Sequence, residues 1–115
     1  MRSTTDIGRK AEQAAKVYLE MRGYKIIEQN WRRPQAEVDI IARKGDVVYF
    51  VEVKYRASHD QGGGLEAITP TKLRHMQRAA EMWVEEEKYP GEHSLAAIEL
   101  AGPTYTIMSF IDNAF

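Results

Sequence analysis

Ala36-Glu37-Val38-Asp39-Ile40-Ile41-Ala42-Arg43, then Lys44-Gly45-Asp46, then Val47-Val48-Tyr49-Phe50-Val51-Glu52-Val53-Lys54-Tyr55-Arg56, is the stretch that decides the fold. Both flanking runs are rich in β-branched and aromatic residues, and the Lys-Gly-Asp between them is a hairpin signal. Side chains alternate across a strand, so Glu37, Asp39 and Ile41 are expected on one face, and Val48, Phe50, Glu52, Lys54 and Arg56 on one face of the next strand. In an antiparallel hairpin the paired residues have a constant index sum. A sum of 91 pairs Asp39 with Glu52, and a sum of 89 makes them diagonal neighbours. Either register brings Glu37, Asp39, Glu52 and Lys54 within side-chain reach. A slip of one residue would separate the acids.

The same face carries Ile41, Val48 and Phe50 toward the turn, where a helix is expected to cover it. The carboxylates then sit where a buried face opens to solvent. Three carboxylates in one patch repel, and a divalent cation holds them together in ionised form. An all-oxygen ligand set favours Mg²⁺ or Mn²⁺ over zinc. Glu-x-Lys by itself is a weak motif, and an alternating charged strand is ordinarily a solvated face.

Outward from the hairpin, Ile7, Ala11, Ala14, Ala15, Tyr18 and Leu19 recur at helical spacing, behind the capping oxygens of Ser3, Thr4 and Thr5 and ahead of Gly23. Tyr24 to Gln29 reads as a strand that ends at Asn30-Trp31-Arg32-Arg33-Pro34. Residues 57–68, with Gly62-Gly63-Gly64, read as a loop. Thr69-Pro70 opens a second helix whose apolar stripe is Leu73, Met76, Ala80, Trp83 and Val84. Ser94 to Leu100 and Tyr105 to Ile111 are two further strands around Ala101-Gly102-Pro103. The expected class is α/β in the order α-β-β-β-α-β-β: an antiparallel meander, then a helical crossover to a parallel fourth strand. Residues 1–115 are expected to form a single domain.

Composition removes several functions. There is no cysteine among the 115 residues, which excludes disulfides, thiolate zinc sites and a thiol nucleophile. Lys plus Arg number 16 and Asp plus Glu 17, a net charge of −1 that fits neither a basic tail nor an acidic disordered chain. The charge is uneven: residues 1–80 carry 15 basic against 10 acidic side chains (+5), and residues 81–115 carry Lys88 against seven acids (−6). A polyanion would be drawn to the first portion. Apolar runs are too short to span a bilayer and no signal-peptide core is seen, so a soluble, cytoplasmic domain with no membrane partner is expected.

Glu-x-Asp on one strand followed by Glu-x-Lys on the next resembles the core of the PD-(D/E)XK nucleases. More closely, the chain resembles the YraN-like family of small proteins: Gly8, Glu12 and Ala15, Gly23-Tyr24, Asn30 with Arg32, the two strands above, Lys72 and Asn113-Ala114-Phe115 all follow its pattern. It departs at Ala36, where a glycine is usual, and at Ser94-Leu95-Ala96-Ala97, where an Arg-x-Asp segment is typical. The resemblance implies a restriction-endonuclease-like core, a mixed central sheet flanked by helices. It also implies an endonuclease that hydrolyses phosphodiester bonds, with Asp39, Glu52 and Lys54 catalytic. Asp39 and Glu52 would be Mg²⁺ or Mn²⁺ ligands, with the Val53 carbonyl a further one. Bound metal would lower the pKa of a water and neutralise charge on the phosphate, and Lys54 would orient the water or stabilise the transition state.

Glu12 is the candidate helical ligand, although a surface pair with Lys16 at i,i+4 describes it equally well. Glu37 is either an outer ligand or a partner of Lys54 or Arg56. Arg32, Arg33, Arg56, Lys72, Arg74 and Arg78 are candidate phosphate contacts, and each alone also fits a solubilising charge. Trp31 fits base stacking or, more ordinarily, the core. His59, His75 and His93 have no ligand spacing. Nucleic acid is the expected partner, DNA ahead of RNA. A homodimer through strand edges or helix faces is compatible with the sequence and demanded by nothing in it. A nucleic-acid-binding module with little turnover is the alternative, and an interaction protein presenting Glu85-Glu86-Glu87 the third reading.

Overall fold

The computed structural model describes residues 4–57 and 69–113. Ser3, His59 with the glycine-rich segment around it, Ala114 and Phe115 lie outside the described residues. The elements are α1 (Thr4–Met21), β1 (Lys25–Arg33), β2 (Ala36–Lys44), β3 (Val47–Arg56), α2 (Pro70–Glu87), β4 (Glu92–Ala101) and β5 (Thr106–Ile111). The strands form one sheet in the order β1-β2-β3-β4-β5. β3 and β4 run parallel and the other neighbours antiparallel. The mixed α/β sheet and its element order are those the sequence implied. β1 does not end at Asn30 as its polar tail suggests. It continues to Arg33 through Asn30 held at φ 52°, a left-handed position that asparagine tolerates better than most residues.

One helix covers each face. Ala11, Ala15 and Leu19 of α1, at spacings of four, lie against Ile40, Ala42, Val51, Ala96, Ile98 and Leu100. α1 stops where Gly23 (φ 91°) reverses the chain, and Tyr24 N–H donates to the Leu19 carbonyl at 3.0 Å. On the other face Met76, Ala79, Ala80 and Trp83 of α2 cover Ile41, Val48, Phe50 and Leu95. Trp83 meets Phe50 edge-to-face at 5.6 Å, a geometry worth about 0.5–1.5 kcal/mol beyond the burial itself. The helix expected over Ile41, Val48 and Phe50 is therefore α2. It begins with the Thr69 hydroxyl accepting from Lys72 N–H (3.1 Å) and Pro70 in the first turn. It ends with Lys88 in the left-handed region.

Trp31 and Val38, opposite one another on β1 and β2, pack on the α2 side. Ile26, Ile40 and Ala42, further along the same strands, pack on the α1 side. The two strands thus change faces together between these positions, at the level of Asn30 and Asp39. Strict alternation, by which Glu37, Asp39 and Ile41 were expected to share one face, fails at this crossing, and Asp39 sits in it.

Candidate active site

The β2–β3 ladder has the index sum of 91, one of the two expected registers, from Lys44↔Val47 to Ile40↔Val51. One step further the same register would set Asp39 opposite Glu52, and two steps further Val38 opposite Val53. The strands fork there instead: Val53 N–H donates to Asp39 Oδ2 at 2.8 Å, a side chain taking the place of a backbone acceptor. A residue in an extended strand directs its N–H and C=O to the same edge, so the Val53 carbonyl opens into this fork as well.

Glu52, one residue earlier, projects to the α2 side between Phe50 and Lys54. Two ammonium groups share its Oε2: Lys54 Nζ at 3.5 Å and Lys72 Nζ at 3.2 Å. The first comes from the same strand face. The second comes from the opening turn of α2, which the Thr69 cap and Pro70 set in place. The Glu52 side chain is only 12% exposed, so both contacts act in a partly dehydrated setting.

Asp39 is half-buried and its carboxyl is pushed up to about 7. Burial is the main cause and the Glu52 charge the second; the Val53 N–H opposes them, Glu12 adds to the rise, and Lys72 reduces it. Glu12 is likewise raised, first by burial. Hydrogen bonding to the Asn30 side chain and the charge of Arg32 lower it, and Glu37 and Glu52 raise it. Glu12 therefore faces the site from α1 and is held by the left-handed residue of β1. The surface pair with Lys16 is not the reading this placement favours.

Other expected residues are placed differently. Glu37 does not join Lys54 or Arg56. It is exposed, with its Oε2 at 4.0 Å from Arg32 Nε across the β1–β2 ladder. The crossing at Asp39 turns it outward. Arg56 is held inside the fold, its Nε 2.6 Å from Glu99 Oε2, with Glu99 buried. Arg33 forms a fork on Glu86 (2.6–3.1 Å) and lies over the Trp31 ring at 4.5 Å, tying the β1–β2 turn to α2. Trp31 is core, 1% exposed. Arg74 donates to the Thr71 hydroxyl at 3.2 Å, and both it and Arg78 are on the exposed side of α2. Among the described residues no three Asp, Glu or His side chains are gathered closely enough to ligate one ion.

Two contributors escaped the sequence reading. Asn30 has the sequence signature of a strand end, yet it lies at the crossing and faces Glu12. Glu99 sits in a run with the pattern of an ordinary strand, although a lone carboxylate inside the apolar run Leu95–Leu100 signals a buried partner.

A family profile matches residues 11–103, most of the chain. The chain belongs to the uncharacterised protein family UPF0102. It is 45% identical over 83 residues to a UPF0102 protein of Leifsonia xyli, covering 72% of this chain and 70% of the relative. A UPF0102 protein of Ectopseudomonas mendocina is 35% identical over 119 residues, 100% of this chain and 98% of its own. One of Mycolicibacterium vanbaalenii is 38% identical over 98 residues, 85% and 79% of the two chains. This membership agrees with the YraN-like resemblance read from the signature strands, and the placement among PD-(D/E)XK nucleases is consistent with UPF0102. No described helix of this UPF0102 chain is long and apolar enough to cross a membrane.

Proposed function

We propose that this UPF0102 protein is a divalent-metal-dependent endonuclease acting on nucleic-acid phosphodiester bonds, DNA ahead of RNA. The observation that carries the reading is the fork. Asp39, pinned by Val53 N–H, keeps its proton near neutrality, through burial first and the charge of Glu52 second, and two ammonium groups border the pair. Strongly perturbed carboxylates beside fixed cations in a surface cleft mark functional sites more often than structural ones.

The donor set suits Mg²⁺ or Mn²⁺: Asp39, Glu52 and the Val53 carbonyl offer hard oxygens only, with water completing the shell. Glu12 reaches the same electrostatic centre from α1 and would hold a ligand water. Bound there, the ion would acidify a water and screen the phosphate charge. The protein's own part is positional. Asp39 is fixed by a backbone donor on the strand that carries Glu52 and Lys54. Lys54 then presents a cation to a non-bridging oxygen as charge builds in the transition state, and Lys72 neutralises Glu52 until substrate arrives.

The test is cleavage of duplex, branched and single-stranded substrates with Mg²⁺, Mn²⁺ or EDTA, for the protein and for Asp39→Ala, Glu52→Ala and Lys54→Ala. Each variant should lose at least about 100-fold in rate, the scale of removing one charge-stabilising group. Turnover that survives in all three rejects the assignment.

A second reading has one observation in its favour. With both lysines on Glu52 and no three-ligand cluster among the described residues, the same site serves a nucleic-acid-binding module with little turnover. Salt-sensitive binding without cleavage under any metal would select it.

A further inference from the structure

Two grooves of about 300 Å³ each meet at Arg32, which belongs to the wall of both. The first lies on the α1 side, between Gly8, Arg9, Glu12 and Asn30. The second lies on the α2 side, between the β1–β2 turn, Glu37, Lys72 and His75. Glu12 lines the first groove, and Lys72, whose Nζ is 3.2 Å from Glu52 Oε2, lines the second, so the two grooves approach the carboxylates from opposite sides.

Three other arginines are committed to the fold. Arg33 is spent on Glu86 and Trp31, Arg56 on Glu99, and Arg43 Nε donates to the Gly45 carbonyl at 2.9 Å in the far turn. Arg32 is 70% exposed and meets Glu37 only at 4.0 Å. A guanidinium held this loosely, on a saddle between two grooves, keeps its donors for a phosphate.

We infer that the two grooves form one path for a polynucleotide strand, with Arg32 gripping a backbone phosphate at the saddle. Chain continues on both sides of the carboxylates, so the site takes an internal stretch and needs no free end. This rests on the phosphodiesterase reading above and names how that site engages its substrate.

The experiment compares a covalently closed single-stranded DNA circle with the linear strand of the same sequence, both internally labelled. Fluorescence anisotropy is followed in EDTA across a salt series, and cleavage is then measured in Mn²⁺. The circle should bind within about twofold of the linear strand. Arg32→Glu should weaken both by about tenfold and flatten the slope of log affinity against log salt by about one. Arg43→Glu, the same charge change at the far turn, should stay within about twofold of the parent protein. Thermal midpoints of both variants, altered at exposed side chains, check that the fold is kept. The path is overturned if the circle binds more than about tenfold weaker than the linear strand, or if Arg32→Glu leaves the slope unchanged. Binding as expected with no cleavage would keep the path and remove the hydrolase. Cleavage of circle and linear strand alike, with the salt slope unchanged in Arg32→Glu, would keep the endonuclease and remove the path.

Discussion

Replacing Asp39 by asparagine should make the metal-free protein more stable, and only above mildly acidic pH. The folded carboxyl titrates at about 7 against an ordinary value of 3.8, so between these values the native state holds a proton that the unfolded chain has lost. Its contribution is complete below pH 3.8 and disappears as pH rises through 7. Stability therefore falls across that window. Three units at about 1.4 kcal/mol each set an upper limit of about 4 kcal/mol, and sharing the coupling with Glu52 and Glu12 brings the expectation to about 2–4 kcal/mol. Asparagine keeps an oxygen for Val53 N–H and carries no charge into the fork. At pH 8 in EDTA, Asp39→Asn should melt about 8–16 °C above the parent protein by circular dichroism, at about 4 °C per kcal/mol for a chain this size. At pH 4 most of the gap should be gone. Millimolar Mg²⁺ at pH 8 should raise the midpoint of the parent protein and not of the variant, because the cation relieves the same repulsion. An equal or lower midpoint for Asp39→Asn at pH 8 refutes the reasoning, and an equal Mg²⁺ response removes the ion from Asp39.

Substitutions at two left-handed positions separate structure from function. Asn30→Gly keeps the φ of 52° and loses the bond to Glu12, so stability should hold within about 0.5 kcal/mol while any nuclease rate falls; Asn30→Ala should lose both, with about 1 kcal/mol off the stability by urea titration. Lys88→Gly, at the left-handed end of α2, should stabilise by up to about 1 kcal/mol, readable as a higher urea midpoint, and leave nucleic-acid binding unchanged.

The sequence carried the hairpin well because two independent signals agreed there: β-branched runs on either side of Lys44-Gly45-Asp46, and apolar residues whose period matched a face that needed covering. Ile41, Val48 and Phe50 demanded a helix, and α2 supplied one with Met76, Ala80 and Trp83 at helical spacing. Asp39 and Glu52 were brought together for a reason alternation alone does not contain. A period of two assumes a straight ladder, whereas β1 and β2 change faces at Asn30 and Asp39. That crossing turns Glu37 out to Arg32, against the second of its two expected roles, pairing with Lys54 or Arg56, and leaves Asp39 in the fork with its carboxylate on a backbone N–H.

The residues that set the fork were hard to read for the same physical reason. A left-handed asparagine within a strand looks like the end of the strand, and its value lies in a contact with Glu12 from an element 18 positions earlier in the chain. Basic residues were equally ambiguous one at a time. Arg33 and Arg56 differ from Arg32 only in having Glu86 and Glu99 within reach, and those partners lie 53 and 43 positions away. Which arginine is left to meet a phosphate beside the carboxylates is therefore decided by tertiary pairing, which commits Arg33 and Arg56 to the fold and leaves Arg32 and Lys72 along the two grooves.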